Sequence, residues 1–134
     1  MTVRVVVVSL IAVAVLVPVA SAQRATPRAT LLQQASLLKQ AKWRAMYATY
    51  TARFRRNCPY ARFVRNGQQT RQAIGTSFQL RDIRVRFETQ TRAIVAYSFV
   101  RNGRTLARVT FRHRDVYAKI GPRWFDQLDR VSTC

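Results

Sequence analysis

Carboxylates are what this sequence has least of. Among 134 residues, 5 are Asp or Glu and 24 are Lys or Arg, a formal net charge of +19. There is 1 histidine, and there are 2 cysteines. So few acids and imidazoles leave little material for acid–base or metal chemistry. Neither cysteine has a Cys or His at metal-ligand spacing, so no metal or other cofactor is expected. No Gly-rich phosphate loop or Ser-His-Asp pattern occurs. There is no helix-turn-helix and no aromatic pattern of an RNA-binding sheet, so no specific nucleic-acid motif is present. A disordered basic tail is excluded by what is plentiful. The chain is 49% hydrophobic and 10% aromatic, enough for one small domain with a core.

The longest apolar run is at the N-terminus. Arg4 supplies one positive charge, residues 5–17 are apolar apart from Ser9, Pro18 interrupts, and Ala20-Ser21-Ala22 follows. This is the pattern of a secretory signal cleaved before Gln23. The rival reading is an uncleaved anchor, for which the run is at the short edge of what spans a bilayer. The expected organisation is a signal peptide over 1–22, a short polar lead-in over 23–29 and a single domain over 30–134. Its location would be secreted or in the cell envelope. Cleavage takes Arg4 with it, leaving 23 cations against 5 carboxylates, a net +18. In an oxidising compartment Cys58 and Cys134 most simply form one disulfide. The alternative is a buried Cys58 and a free terminal thiol.

The remainder divides into a helical half and a strand-like half. Thr30 reads as a helix N-cap, with an apolar stripe through Leu31, Leu32, Ala35 and Leu38 that continues at Trp43, Met46, Tyr47, Tyr50 and Phe54. The stripe changes phase at 40–42, where a break is expected. Pro59 opens a further helix, which Asn66-Gly67 would stop. From Phe78 the period becomes two. Ile83, Val85 and Phe87 alternate with Arg84, Arg86 and Glu88, and a second strand covers 92–100. Asn102-Gly103 is a strong hairpin signal. Residues 105–116 read as one continuous third strand, and Gly121-Pro122 leads to a short last one. Helices followed by an antiparallel meander predict an α+β fold, with N-terminal helices packed on a curved antiparallel sheet.

The run from Trp43 to Phe63, with its Trp-x-x-x-Tyr helix and Phe54-Arg-Arg-Asn-Cys58-Pro59 segment, resembles the helical half of nuclear transport factor 2-like domains. These are also described as SnoaL-like or cystatin-like cones. That helical run is similar in particular to secreted bacterial members, and residues 92–99 with Asn102-Gly103, then Asp115-Val-Tyr-Ala-Lys and Gly121-Pro-Arg-Trp124-Phe125, resemble the family's terminal hairpins and closing Gly-x-Trp strand. The sequence departs from the family at 39–42, where many members place Gly-Asp before the Trp. The resemblance implies a conical α+β barrel with a cavity between sheet and helices. That fold hosts isomerases, dehydratases and inert modules, so function has to come from the site.

Three functional readings follow. The first is a secreted, basic, non-enzymatic module that associates with an anionic envelope polymer or lipid surface through Arg84, Arg86, Arg108, Arg112 and Arg114. The second is a small ketosteroid-isomerase-like or dehydratase-like enzyme. Its catalytic pair would be Asp115 and His113, two apart on one strand face with Val109 and Phe111, and Tyr47, Tyr50 or Tyr97 would be oxyanion donors. The third is a carrier of a small apolar ligand. In either of the last two, Trp43, Tyr47, Tyr50, Phe54, Phe63, Tyr97, Phe99, Phe111 and Trp124 would line the pocket. The remaining acids read as surface charges: Asp82 and Glu88 against Arg84 and Arg86, and Asp126 and Asp129 against Arg123 and Arg130. Arginines on the outer sheet face favour a monomer or weak dimer over a dry interface.

Overall fold

A computed structural model describes residues 24–128 and residue 134. The expected signal segment over 1–22 lies outside the described residues, as do Asp129 and Arg130. Among the described residues four helices precede five strands, and the helices pack on a curved antiparallel sheet, an α+β fold.

Helix α1 (Pro27–Lys39) starts earlier than Thr30. Thr26 is its N-cap, its hydroxyl accepting from the Ala29 N–H at 3.0 Å, and Pro27 occupies the first turn. Thr30, Leu31, Gln34 and Leu38 form the buried face. The expected break follows, with Ala41 at a φ of 54°. Helices α2 (Trp43–Tyr47) and α3 (Ala52–Asn57) are short, and the Thr51 hydroxyl caps the latter. Helix α4 (Tyr60–Ile74) runs straight through Asn66-Gly67. Gly67 is not a stop signal. A Cβ there would sit 2.6 Å from Trp43 Cζ3, so the glycine exists for close packing of α2 against α4.

Strands β1 (Gln79–Thr89) and β2 (Arg92–Arg101) pair, and Asn102-Gly103, at φ of 51° and 73°, turns the chain into β3 (Arg104–Val109). The third strand then ends. Residues 110–114 leave the sheet in a turn closed by the His113 N–H to the Thr110 carbonyl at 3.0 Å. The chain re-enters as β4 (Asp115–Ile120), followed by β5 (Arg123–Asp126). This corrects the meander. β3 pairs with the far half of β2, Tyr97 opposite Val109, while β4 takes the near half of the same edge, Val95 opposite Asp115. The turn at 110–114 is where that edge changes hands.

The inner face of the sheet carries Ala93, Val95, Tyr117 and Trp124 against Leu31. A second cluster joins Tyr50, Phe54, Phe63 and Cys58, and a third joins Leu38, Ile74 and Phe78. Cys58 is bonded to Cys134, which ties the C-terminus to the second cluster. Among the described residues no helix is long and apolar enough to cross a membrane. That and the disulfide are compatible with an extracytoplasmic location.

Candidate functional site

Strand alternation builds the site. Asp115 stands opposite Val95, so its side chain shares the inward face with Val95 and with Tyr97 two residues on. Tyr117 follows Asp115 on that face and stands opposite Asp126, which in turn follows inward-facing Trp124. Asp115 and Asp126 are therefore diagonal neighbours on one face of adjacent strands. They are 4% and 3% exposed, so two of the five carboxylates in the chain lie side by side in its interior.

A hydrogen-bonded chain holds one of them. The Tyr117 hydroxyl donates to Gln34 Oε1 at 2.8 Å. Gln34 Nε2 donates to Thr49 Oγ1 at 2.9 Å and to Asp126 Oδ2 at 3.2 Å. Asp126 Oδ1 accepts from the Leu128 N–H at 3.0 Å. The backbone fixes the same place, with the Thr51 N–H on the Asp126 carbonyl and the Asp126 N–H on the Thr49 carbonyl. Asp115 is less well satisfied: its Oδ1 is buried and has no hydrogen-bond partner. An orphaned buried acceptor of this kind costs about 1–3 kcal/mol.

Burial governs the protonation of both. It pushes the Asp115 carboxyl up to about 6, against the opposing pull of the Tyr97 hydroxyl and of Asp126. Burial, and then the charge of Asp115, push Asp126 well above the usual carboxylate range, despite hydrogen bonds from Leu128 and Gln34. The phenols of Tyr50, Tyr97 and Tyr117 are raised for the same reason, burial first and the two carboxylates next. All three therefore stay neutral donors. Burial and mutual repulsion thus oppose two charges in this coupled pair at once.

A cavity of about 260 Å³ lies between the sheet and the helices, with Asp115 and Asp126 in its wall. Of the aromatic residues expected to line a pocket, Tyr50, Phe54, Phe63, Tyr97 and Phe99 do so. The other four are placed elsewhere. Trp43 packs on Gly67, and the Tyr47 hydroxyl is taken by the carbonyls of Arg55 and Cys58. Trp124 is in the core beneath the sheet. Phe111 lies under the guanidinium groups of Arg84 and Arg86, at 5.3 and 4.7 Å.

The structure does not bring His113 to Asp115. The strand shared by the two in the sequence reading is broken by the 110–114 turn, which leaves His113 exposed while Asp115 is buried. Asp126 is likewise no partner of Arg123 at the surface. Glu88 pairs with Arg92 across the β1–β2 turn, not with Arg84 or Arg86. Arg84, Arg86, Arg108, Arg112 and Arg114 are all exposed. Among the described residues no three of His, Cys, Asp or Glu gather in a metal-binding group.

Asp126, Gln34 and Tyr117 join the candidate site, none of them expected there from the sequence. Period-two spacing was the available signal: Asp115 and Tyr117 share a face, as do Trp124 and Asp126.

These features define a class: a small α+β protein with an acidic pair in the wall of an aromatic-lined cavity. No protein-family model and no curated protein matches the chain.

Proposed function

We propose that this is an extracytoplasmic protein, exported by its N-terminal signal, whose cavity carries out proton transfer on a small, largely apolar ligand. Asp115 is the acid–base group, Asp126 holds the shared proton, and the Tyr97 hydroxyl stabilises charge that develops on the ligand. The observation that carries this reading is the buried, half-satisfied carboxyl of Asp115 in a cavity wall beside a second carboxyl and a neutral phenol. A base that ionises near the working pH is what general catalysis requires. Membership of the nuclear transport factor 2-like superfamily agrees with the order of elements and with a cavity between helices and sheet, and we adopt it as part of the proposal.

The test uses 5-nitrobenzisoxazole, a generic reporter of a base in an apolar pocket. Asp115 takes the proton from ring C3, those electrons form the nitrile, the N–O bond breaks, and the oxygen leaves with the pair as a coloured phenolate. The rate should rise as pH passes through about 6, where Asp115 ionises. Asp115→Asn should lower it about 100-fold. A parent rate no greater than that of the variant at every pH would overturn the reading.

A second reading, association with an anionic envelope surface, is favoured by the outer face of the sheet. A groove there has Arg84 and Arg108 on its walls with Ser98 and Thr110, against one carboxylate, Asp82. Arg86 and Arg112 are exposed on the same half of the molecule's sequence. Retention on vesicles of anionic lipid should fall steeply as salt rises, because exposed charges are screened over about 10 Å at 0.1 M. Retention that salt does not alter would sink this reading and leave the cavity untouched.

A further inference from the structure

The wall of the cavity has the opposite polarity to the surface. Among the described residues no Lys or Arg lines the cavity, whereas two carboxylates, Asp115 and Asp126, do. Five aromatic rings, those of Tyr50, Phe54, Phe63, Tyr97 and Phe99, stand in the same wall, with aliphatic residues and the uncharged polar groups of Gln34, Asn66 and Thr70. The rings are already engaged with one another edge-on and in stacks, Tyr50 with Phe54 at 4.4 Å and Tyr97 with Phe99 at 5.5 Å, so they form a fixed apolar lining.

Each component selects in the same direction. An anionic head brought beside a buried carboxylate is repelled, and among the described residues no cation of the wall compensates it. A π-face attracts a cation by about 0.5–2 kcal/mol. Asp115 Oδ1, buried and without a partner, requires a donor. A hydroxyl would supply the bond but leave the carboxylate charge, whereas an ammonium supplies both. Resting on the reading that this cavity is the working site, we propose that its ligand is a small amphiphilic amine, with the ammonium head on Asp115 and the apolar body among the rings. The arginine surface gives no hint of this, because the selection is made inside.

Three probes with one ring system and different heads test it: 2-naphthylmethylamine, 2-naphthylmethanol and 2-naphthoate, titrated at physiological salt and neutral pH. The amine should bind about tenfold tighter than the carboxylate, with the alcohol between them, a difference of roughly 1.4 kcal/mol. Asp115→Asn should reduce the advantage of the amine over the alcohol, and Asp115→Asn with Asp126→Asn, which leaves no carboxylate among the described residues of the wall, should abolish it. Naphthoate binding as tightly as the amine, or an amine advantage undiminished in Asp115→Asn, overturns the proposal. If the variant fails to fold, the unsubstituted protein gives the same answer by pH. Among the described residues the titratable groups facing Asp115 are Asp126, Tyr50, Tyr97 and Tyr117, none of them cationic. Amine affinity should therefore weaken as pH falls through about 6 while alcohol affinity stays level; parallel behaviour of the two overturns it. Amine preference without benzisoxazole turnover upholds the ligand class and removes the catalytic reading. Turnover with naphthoate preferred removes the ligand class alone.

Discussion

Replacing Cys58 and Cys134 together by alanine should lower the unfolding free energy by about 4 kcal/mol. The two are 76 residues apart in sequence, so the bond closes a loop that takes in most of the described chain. The gain comes chiefly from restricting the unfolded chain, and it grows with loop length. There is a local part as well. Cys58 is 1% exposed and packs with Tyr50, Phe54 and Phe63, so its loss also leaves a small void. For a domain of this size, 4 kcal/mol is a large share of the usual 5–15 kcal/mol. Denaturant unfolding of the parent with and without reductant should show the same loss as the double variant. A midpoint that neither reductant nor the substitutions move would show that the bond adds nothing to stability. Both cysteines line the cavity, so probe affinity should fall with the bond.

That bond was legible in the sequence because two cysteines in a chain with a signal-like leader leave one simple pairing. The Asn102-Gly103 hairpin was legible because its φ values suit few other residues. The break after Lys39 was legible because the apolar stripe changes phase there. What failed to show were events decided by distant partners. Gly67 follows Asn66, a pair that locally reads as a helix end, but Trp43 is what demands the glycine. Residues 105–116 alternate like one strand, and nothing local announces that β2 gives its edge first to β3 and then to β4. Phe111 continues the alternation, yet two arginines of β1 hold its ring outside. The same switch governs the site. Asp115 was identified, but with the histidine two residues before it. Its real neighbour, Asp126, comes from β5, and only the fold brings the two strands together. Where charge is so one-sided, a carboxylate among arginines reads as an ordinary surface partner, and burial alone distinguishes it.

Burial of the pair also makes the protein's response to acid unusual. Unfolding free energy should rise on going from pH 8 to pH 4, against the common trend of acid denaturation. The sign follows from linkage. An unfolded Asp ionises near 3.9, while folded Asp115 does so at about 6. Between those values the folded chain keeps a proton that the unfolded chain gives up, so stability is full below about pH 4 and is lost as pH rises toward 6. Asp126, raised for the same reason and further by Asp115, continues the loss above 6. For carboxyls buried and raised in this way the loss is on the order of a few kcal/mol, shared by the coupled pair. Opposing terms are small. The exposed Arg92–Glu88 pair contributes at most about 1 kcal/mol, and with 5 carboxylates in the chain, acid adds few charges to those already present. Asp115→Asn should therefore stabilise the protein at pH 8, leave it nearly unchanged at pH 4, and flatten the profile between. Removing the charge of Asp115 also lets Asp126 ionise more readily, so the remaining slope should move to lower pH. Thermal unfolding across this range is the measurement. A parent that loses stability steadily toward pH 4, with Asp115→Asn following it in parallel, would show that the pair is solvated, and would remove the basis for a proton shared between these two carboxyls.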